Sequence, residues 1–388
     1  MSQSDLTRSS IFSRLEFRGF CSDWGPILAI FTVSRLALLL VAAFALHDLP
    51  DLPHANEQSL TARLCRFDCN WYMSIAEHGY STTESSNQPG ATNFAFYPLF
   101  PLLTRAIAWL LGSDQLTTAF AISNICSLLA LCFVYRYLTL IGAQRSTTLL
   151  VIALMCCMPQ SLAFSVPYSE GLFLLLLVVA MYYMRREQFL AAGVSAALLS
   201  ATRANGIFFI LFALTWVWRR YGTSAFTAPW RVPEAFVPIV FAPLGLFLFW
   251  GYCLLTTGDA FAHPSSELHG WGWQFLAPWD NLPLALRSEG VPRFATLVSL
   301  VVFLGALLLL RLKMYEEFAL CFACILLVWA GGATGSIFRY WLFAFPIWYV
   351  FALILRPRPV TTVVAVSILC IINIVFTWAW IQQKVFAI

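Results

Sequence analysis

Charged residues are scarce in this sequence, since Asp, Glu, Lys and Arg together make up 11% of its 388 residues. Soluble domains carry about 25% charged residues, so the shortage argues against a soluble protein. The sequence also lacks a GxxxxGK phosphate loop, a GxGxxG fingerprint, a GxSxG nucleophile elbow and a DxD pair. These absences argue against binding of ATP or a nucleotide sugar. The net charge of +4 is small and spread over loops, which argues against nucleic-acid binding.

Hydrophobic residues, in contrast, make up 60% of the chain, and aromatic residues make up 16%. Apolar runs of about 20 residues recur from end to end, which is typical of an all-α polytopic membrane protein. No small-residue cleavage site follows the first run, so we expect a retained span and not a signal peptide. We predict about eleven spans, two of them half-length, at Ile27–Leu46, Ala119–Ile141, Thr147–Phe164, Gly171–Met184, Leu190–Ala201, Gly206–Trp218, Phe236–Leu255, Phe294–Leu310, Phe318–Ala330, Tyr340–Leu355 and Val360–Ile381.

The segment Phe94–Leu111 is apolar enough to cross a bilayer, yet it contains Pro98, Pro101 and Arg105. The positive-inside rule decides between a crossing segment and an interfacial one. If the segment crosses, most basic groups of the later loops lie outside. If it lies in the outer interface, the following groups face the cytoplasm with the N-terminal arginines: Arg136/Arg145, Arg185/Arg186, Arg219/Arg220/Arg231, Arg311/Lys313 and Arg356/Arg358. We therefore predict one domain over 1–388, with a cytoplasmic tail at 1–25 and a large outer loop with interfacial helices at 47–118.

This topology brings polar residues of five separate loops to the outer face of the membrane. They are Asp68, Glu77 and His78; Pro167–Glu170; Arg203 and Asn205; Gly258–Trp273; and Arg339. A purely structural protein needs no such convergence, whereas an active site facing the periplasm or lumen does. A transporter or flippase of a lipid-linked sugar is the alternative. The one-sided placement and the lack of internal repeats argue against it, because transporters bind near the midplane.

The segment Arg66–Tyr80, RFDCNWYMSIAEHGY, places an acid among aromatic residues. On a helix, one face carries Asp68, Trp71, Tyr72 and Ile75, and the opposite face carries Asn70, Met73 and Glu77. An acid on an apolar face is costly unless a partner or a substrate uses it. We predict that Asp68 is a general base for an acceptor hydroxyl, above a sugar-stacking floor of aromatic side chains. The alternative is a carboxylate paired with Arg63 or Arg66.

Arg203 lies at the turn between two half-length spans, where an arginine at membrane depth requires a partner. That partner is Glu170, Asp68 or a lipid phosphate. We favour the phosphate, because a guanidinium donates to it bidentately. Arg339 either binds a phosphate in the same way or extends its side chain to the membrane–water interface. Glu170, at the start of a span, either binds substrate or interacts with the helix dipole.

Two histidines and two acids in the loop Gly258–Trp273 raise the question of a metal: His263, His269, Asp259 and Glu267. Their spacing matches no strong zinc pattern, so we expect no metal and no cofactor. Glu77 and His78 either contact the substrate or solvate an interfacial helix. Cys65 and Cys69 stand four residues apart and could pair, although two free cysteines are the expectation.

Four motifs in order, RFDCNWYMSIAEHGY, TNFAFYPLFPLL, PYSEGLF and ATRANG, resemble the PIG-V type of GPI mannosyltransferase and its bacterial relatives. The resemblance runs from Phe67 to Ile207 and continues more weakly in GDAFAH, GWGW and FRYWLFAFP. That family belongs to the GT-C glycosyltransferases. The resemblance implies a GT-C-like bundle with its active site at the outer face and a polyprenyl-phosphate sugar as donor. The family's tryptophan before the acid is Phe67 here.

By this resemblance Asp68 is the catalytic base, and Glu77, His78, Asn93, Glu170 and Arg203 match other motif positions. With the residue arguments above, substrate contacts are expected from these five and from Trp71, Tyr72, Asn205 and Arg339. The implied reaction transfers a hexose, with mannose expected, to a lipid- or glycan-linked acceptor by single displacement with inversion. Arg203, with Arg339, would stabilise the departing lipid phosphate. The expected partners are the donor, the acceptor and membrane lipids, and no nucleic acid is expected. We expect a bacterial inner membrane in preference to the endoplasmic reticulum.

Overall fold

The computed structural model describes residues 24–45, 60–86, 88–331 and 337–382. Within these ranges the regular structure is helical, apart from two isolated β-bridges, so the prediction of an all-α membrane protein is confirmed. Most of the predicted tail at 1–25 and the start of the predicted outer loop, up to residue 59, lie outside the described residues.

Nineteen helices follow one another through the described ranges. They are α1 (Trp24–Ala45), α2 (Leu60–Leu64), α3 (Asp68–His78), α4 (Leu99–Leu111), α5 (Gln115–Leu140), α6 (Arg145–Cys157), α7 (Glu170–Arg185), α8 (Phe189–Thr202), α9 (Phe209–Tyr221), α10 (Ser224–Thr227), α11 (Val237–Phe241), α12 (Leu244–Thr257), α13 (Ala262–Trp271), α14 (Pro278–Arg287), α15 (Val291–Arg311), α16 (Tyr315–Ala330), α17 (Ile337–Tyr340), α18 (Phe345–Leu355) and α19 (Pro359–Ile381). Short 3₁₀ turns connect several of them, among them Asn93–Ala95, Ser161–Phe164 and Ala204–Phe208.

Five helical stretches are long and apolar enough to cross a membrane by length and composition. They are α1, α5, the stretch Pro233–Thr257 that contains α11 and α12, Pro292–Arg311 and α19. Each of the eleven predicted spans coincides with helix in the structure, although several of these helices are short. The chain is therefore an integral membrane protein, and the number of eleven crossings stays a prediction.

The centre of the bundle is built on α7, which packs between α5 and α8. Gly171 permits the close approach of α7 to α5, because a Cβ atom there would lie 2.3 Å from Oγ of Ser127 and 2.7 Å from the carbonyl oxygen of Ser123. Gly245 plays the same part between α12 and α8, where a Cβ would lie 2.2 Å from the carbonyl oxygen of Ala197. Small residues thus bring these backbones together, as is common in membrane helix pairs.

The doubtful segment Phe94–Leu111 forms a 3₁₀ turn and the 13-residue helix α4. At 1.5 Å per residue α4 is about 20 Å long, which is short for a crossing of the hydrocarbon core. Its Arg105 donates hydrogen bonds to the carbonyl oxygens of Ala76 (2.6 Å) and Ile75 (3.3 Å), at the end of α3. The side chain therefore caps the C-terminal end of α3, where the carbonyl of Ile75 also accepts from the N–H of Gly79.

At the opposite end of α7 from Glu170, the bundle contains a buried polar network. Arg185 contacts Glu317 at 2.7 Å and Glu316 at 3.3 Å, and Arg219 contacts Glu316 at 2.7 Å. The hydroxyl of Tyr137 donates to Glu317. The network joins the ends of α5, α7 and α9 to the start of α16. Two of the arginines used in the positive-inside argument therefore carry compensating acids.

Candidate active site

The acid at the centre of the prediction, Asp68, is the first residue of α3 and is held there by its neighbours. Phe67 precedes it with φ of +51°, a left-handed conformation that is unfavourable for a residue with a side chain. Cys65 and Cys69 form a disulfide across this turn, so the expectation of two free cysteines was wrong. The Tyr168 hydroxyl accepts from the backbone N–H of Asp68 at 3.3 Å and donates to the carbonyl of Arg66 at 3.1 Å. The carboxylate is thereby fixed in position.

Two acids and two arginines from four separate segments meet beside this turn. Nη1 of Arg339 lies 2.5 Å from Oδ2 of Asp68 and 3.5 Å from Oε1 of Glu170. Nη1 of Arg203 lies 2.9 Å from the same Oε1 of Glu170. The Glu170 side chain is fully buried, those of Asp68 and Arg339 are 16% and 8% exposed, and that of Arg203 is 15% exposed. Asp68 thus pairs with Arg339, a partner that the alternative interpretation did not include.

Aromatic rings cover both guanidinium groups. Arg339 lies over the ring of Tyr168 at 5.3 Å, and Arg203 lies over the rings of Tyr340 (5.5 Å) and Phe343 (5.7 Å). These cation–π contacts replace part of the hydration that an arginine loses in an apolar setting. The cluster of Asp68, Glu170, Arg203 and Arg339, hereafter the charged quartet, carries formal charges that sum to zero.

Tyr72 faces the charged quartet from α3, as the helical spacing predicts. Tyr72 shares a hydrogen bond of 2.8 Å with Ser169, whose hydroxyl also lies 3.3 Å from Arg203. Burial raises the pKa of the Tyr72 phenol, so that it stays protonated. Trp71 stacks on Phe96 at 5.8 Å between ring centroids. Met73, on the opposite face of α3, is also buried in the core.

The other predicted substrate contacts are placed differently. Glu77 and His78 are exposed at the end of α3, 3.9 Å from each other. Asn93 is buried and holds the backbone, since its Nδ2 donates to the carbonyl of Gly79 and its Oδ1 accepts from the N–H of Ser81. Asn205 is buried after Arg203, and its Nδ2 has no hydrogen-bond partner among the described residues.

A narrow crevice with a cavity volume of about 20 Å³ opens beside the charged quartet. Its wall is mostly apolar, and Arg339 and Tyr168 contribute to it from the side of the quartet. The lining residues are Gln160, Leu162, Ala163, Val166, Tyr168, Arg339, Phe376, Thr377 and Trp380. The last helix, α19, and the turn after α6 therefore form an apolar slot that ends at a guanidinium group.

Sequence reasoning missed two site-facing residues, Glu267 and His263, because it considered them only as metal ligands. Both lie on α13, which Ser266 joins to the first loop by hydrogen bonds with the backbone of Thr92 at 2.9 and 3.0 Å. Burial raises the pKa of Glu267 to about 7. Burial, with the nearby charge of Arg203, lowers the pKa of His263 to about 3, so the imidazole is neutral. The i,i+4 spacing of His263 and Glu267 within an outer loop was the sequence signal that could have placed them on one helix face.

Among the described residues, no three His, Cys, Asp or Glu side chains group together as a set that could hold a metal ion. His269, the other histidine of α13, is exposed and bonds to the carbonyl of Ser265 in its own helix at 2.8 Å. A CxxC pair, Cys321 and Cys324, lies buried as free thiols within α16.

Comparison with known proteins gives a family and several relatives. The family model described as mannosyltransferase (PIG-V) matches residues 30–247. GPI alpha-1,6-mannosyltransferase 2 of Mus musculus is 30% identical over 184 residues, which are 45% of this chain and 36% of the mouse protein. The protein of the same name from Rattus norvegicus is 30% identical over 166 residues, 40% of this chain and 32% of its own length. The matched stretch thus spans about a third of these relatives.

Among solved structures, this chain is similar to the archaeal oligosaccharyltransferase AglB from Archaeoglobus fulgidus, solved in complex with an inhibitory peptide and a dolichol-phosphate. The sequences are 12% identical, the superposition covers 91% of this chain and 56% of the archaeal chain, and the TM-score is 0.45. At that level the likeness carries no argument about the site.

Proposed function

Because the chain belongs to the mannosyltransferase (PIG-V) family, we propose that it transfers mannose from a polyprenyl-phosphate donor to a lipid- or glycan-linked acceptor. The reaction takes place at the end of the bundle where the charged quartet lies, and we propose that this end faces the periplasm of a bacterial inner membrane. The observation that carries the proposal is the juxtaposition of the Asp68–Arg339 pair with the apolar crevice.

The crevice suits a lipid-linked donor. A polyprenyl phosphate combines an apolar chain with a charged group, and the crevice combines an apolar wall with the guanidinium of Arg339. Phe376 and Trp380 of α19 would contact the first part of the chain. Arginine is the preferred residue for phosphate, since its planar group donates two parallel hydrogen bonds.

Binding of the donor phosphate would also activate Asp68. In the structure Asp68 shares Arg339 with Glu170, so an ion pair occupies its carboxylate. A phosphate that binds Arg339 weakens the ion pair between Arg339 and Asp68, and it adds a negative charge to a quartet whose formal charges sum to zero. Both effects would free the carboxylate of Asp68 to meet the acceptor hydroxyl. The acceptor hydroxyl, losing its proton to Asp68, would attack the anomeric carbon and displace the lipid phosphate with inversion.

Arg203 remains a candidate for the same phosphate. Its contacts with Glu170 and Ser169 fix Nη1, and its side chain is 15% exposed. In this proposal Arg203 stabilises the charge that develops on the leaving phosphate, a preorganised electrostatic effect. The competing role is to compensate the buried carboxylate of Glu170 alone.

The proposal is tested with purified protein in detergent, polyprenyl-phosphate mannose carrying a radiolabel, and a panel of lipid-linked glycans. Transfer of label to an acceptor is expected, with none from a nucleotide-linked mannose. Movement of lipid-linked sugar across a proteoliposome membrane without transfer would instead support the flippase alternative and overturn the proposal.

The donor side is tested with Arg339→Gln and Arg203→Gln, each measured for binding of a polyprenyl-phosphate analogue and for melting temperature. Arg220→Gln is the matched control, because Arg220 pairs with Glu187 at the other end of the bundle. We expect weaker analogue binding for both site variants, with part of it recovered in Arg203→Lys. Unchanged binding with a large fall in melting temperature would leave Arg203 a structural role only.

A further inference from the structure

The helix α13 forms a wall of the candidate site and has no role in the proposed reaction as described above. It docks on the first outer loop through Gln88, whose side chain donates to the carbonyl of Gly270 at 2.7 Å, and through the Ser266–Thr92 contacts. His263 packs against Tyr97 at 4.7 Å between ring centroids and so anchors the start of the helix. Thus α13 has a defined position relative to α3 although almost 200 residues separate them in sequence.

Aromatic side chains join α13 to the face of α3 that carries Asp68. Trp271 lies 5.5 Å from Trp71 and 5.8 Å from Phe96, measured between ring centroids. Trp71 and Trp271 both keep part of their surface exposed. Apolar ring faces with a polar edge, placed beside a catalytic acid, suit the C–H face of a sugar.

The carboxylate of Glu267 projects from the same helix with unused hydrogen-bonding capacity. Its side chain is 30% exposed, and in the part of the chain described here it accepts no hydrogen bond. Neutral His263 lies 3.7 Å away, too far for a hydrogen bond. The groups that face Glu267 from the surrounding elements are Asp68 of α3, Tyr97 before α4, Arg203 after α8 and Tyr340 of α17. A carboxylate that interacts electrostatically with Asp68 and has no arginine partner of its own is available to a ligand.

We propose that α13 forms the acceptor-sugar subsite, in which Glu267 accepts hydrogen bonds from the acceptor's hydroxyl groups and Trp271 supports its ring. This inference rests on the proposed function, and it assigns the two sides of Asp68 to different substrates. The lipid phosphate takes the side of Arg339 and the crevice, and the acceptor glycan takes the side of α13. This arrangement keeps the donor phosphate away from the carboxylate of Glu267, because the two negative charges would repel each other on the acceptor side.

The test is the substitution Glu267→Gln, measured as the acceptor KM at fixed saturating donor and as binding of the polyprenyl-phosphate analogue. A lost charge-assisted hydrogen bond raises the acceptor KM about tenfold. Analogue binding and melting temperature are expected to stay at the wild-type values. The acceptor kcat/KM of the wild type should rise with pH through about 7, as Glu267 ionises, and this step should be absent from Glu267→Gln.

His269→Gln is the matched control on the exposed side of the same helix, and it should behave as wild type. Trp271→Ala should raise the acceptor KM, and Trp271→Phe should recover part of the loss. An unchanged acceptor KM in Glu267→Gln, or an equal loss of donor binding, would overturn the inference. These results differ from failure of the proposed function, in which the wild-type protein itself transfers no mannose.

Discussion

The substitution Asp68→Asn separates the chemical role of this acid from its structural role. It keeps the size of the side chain and removes the charge that Arg339 contacts at 2.5 Å. Removing one partner of a buried ion pair typically costs about 3–5 kcal/mol. We expect a smaller loss of stability, about 1–3 kcal/mol, because Glu170 still lies 3.5 Å from Arg339 and the amide oxygen still accepts a hydrogen bond.

The loss of activity in Asp68→Asn should be larger than the loss of stability. Removal of a general base costs about 10²–10⁴ in rate, which is about 2.7–5.5 kcal/mol of activation free energy. The assay compares transfer of radiolabelled mannose with thermal unfolding in the same detergent. Asp280→Asn, an exposed acid on α14, is the control and should match the wild type.

A well-folded Asp68→Asn protein that transfers mannose at a rate close to wild type would refute the role of Asp68 as base. If Asp68→Asn folds poorly, the double variant with Arg339→Gln distinguishes the two roles, because it removes both charges of the pair. If the pair were only structural, the double variant would regain both melting temperature and activity. Recovery of the melting temperature without activity is the result we expect.

Two further predictions concern packing and orientation. Gly171→Ala should lower the melting temperature, because its Cβ would lie 2.3 Å from Ser127 and overpacking costs about 1–3 kcal/mol of stability. Gly251→Ala is the control, since nothing lies within 4 Å of its Cβ. Equal melting temperatures for the two variants would contradict the close helix contact. On a cysteine-free background, Ser86→Cys should react with an impermeant thiol reagent in intact cells and Gly222→Cys should not, and the reverse pattern would invert the proposed orientation.

The helices were predictable where the signal is local. Hydrophobic runs mark the core helices, and all eleven predicted spans coincide with helix. The helix α13 lies in Gly258–Trp273, which was predicted as a loop because its mixed polar sequence gives no long apolar run. Burial of Met73 was not predicted either, since α3 is covered by the bundle on more than one face.

The sequence predicted which residues lie together on one side of the membrane, but it did not predict which of them contact each other. Asp68 and Arg339 are 271 positions apart, and no spacing rule links them. The disulfide between Cys65 and Cys69 depends on the left-handed turn at Phe67, which the sequence does not signal. Glu267 was overlooked because its importance comes from the elements around α13, and not from its own neighbours in sequence.

The two polar clusters stand at the two ends of a single helix, α7. Glu170 is its first residue and Arg185 its last, about 22 Å apart at 1.5 Å per residue. An ion pair at each end, with Gly171 seated on α5, opposes both sliding and rotation of this helix. We therefore expect α7 to be a stationary axis of the molecule. Movements that admit and release substrates would then fall to elements without such ion pairs, such as the crevice wall of α19.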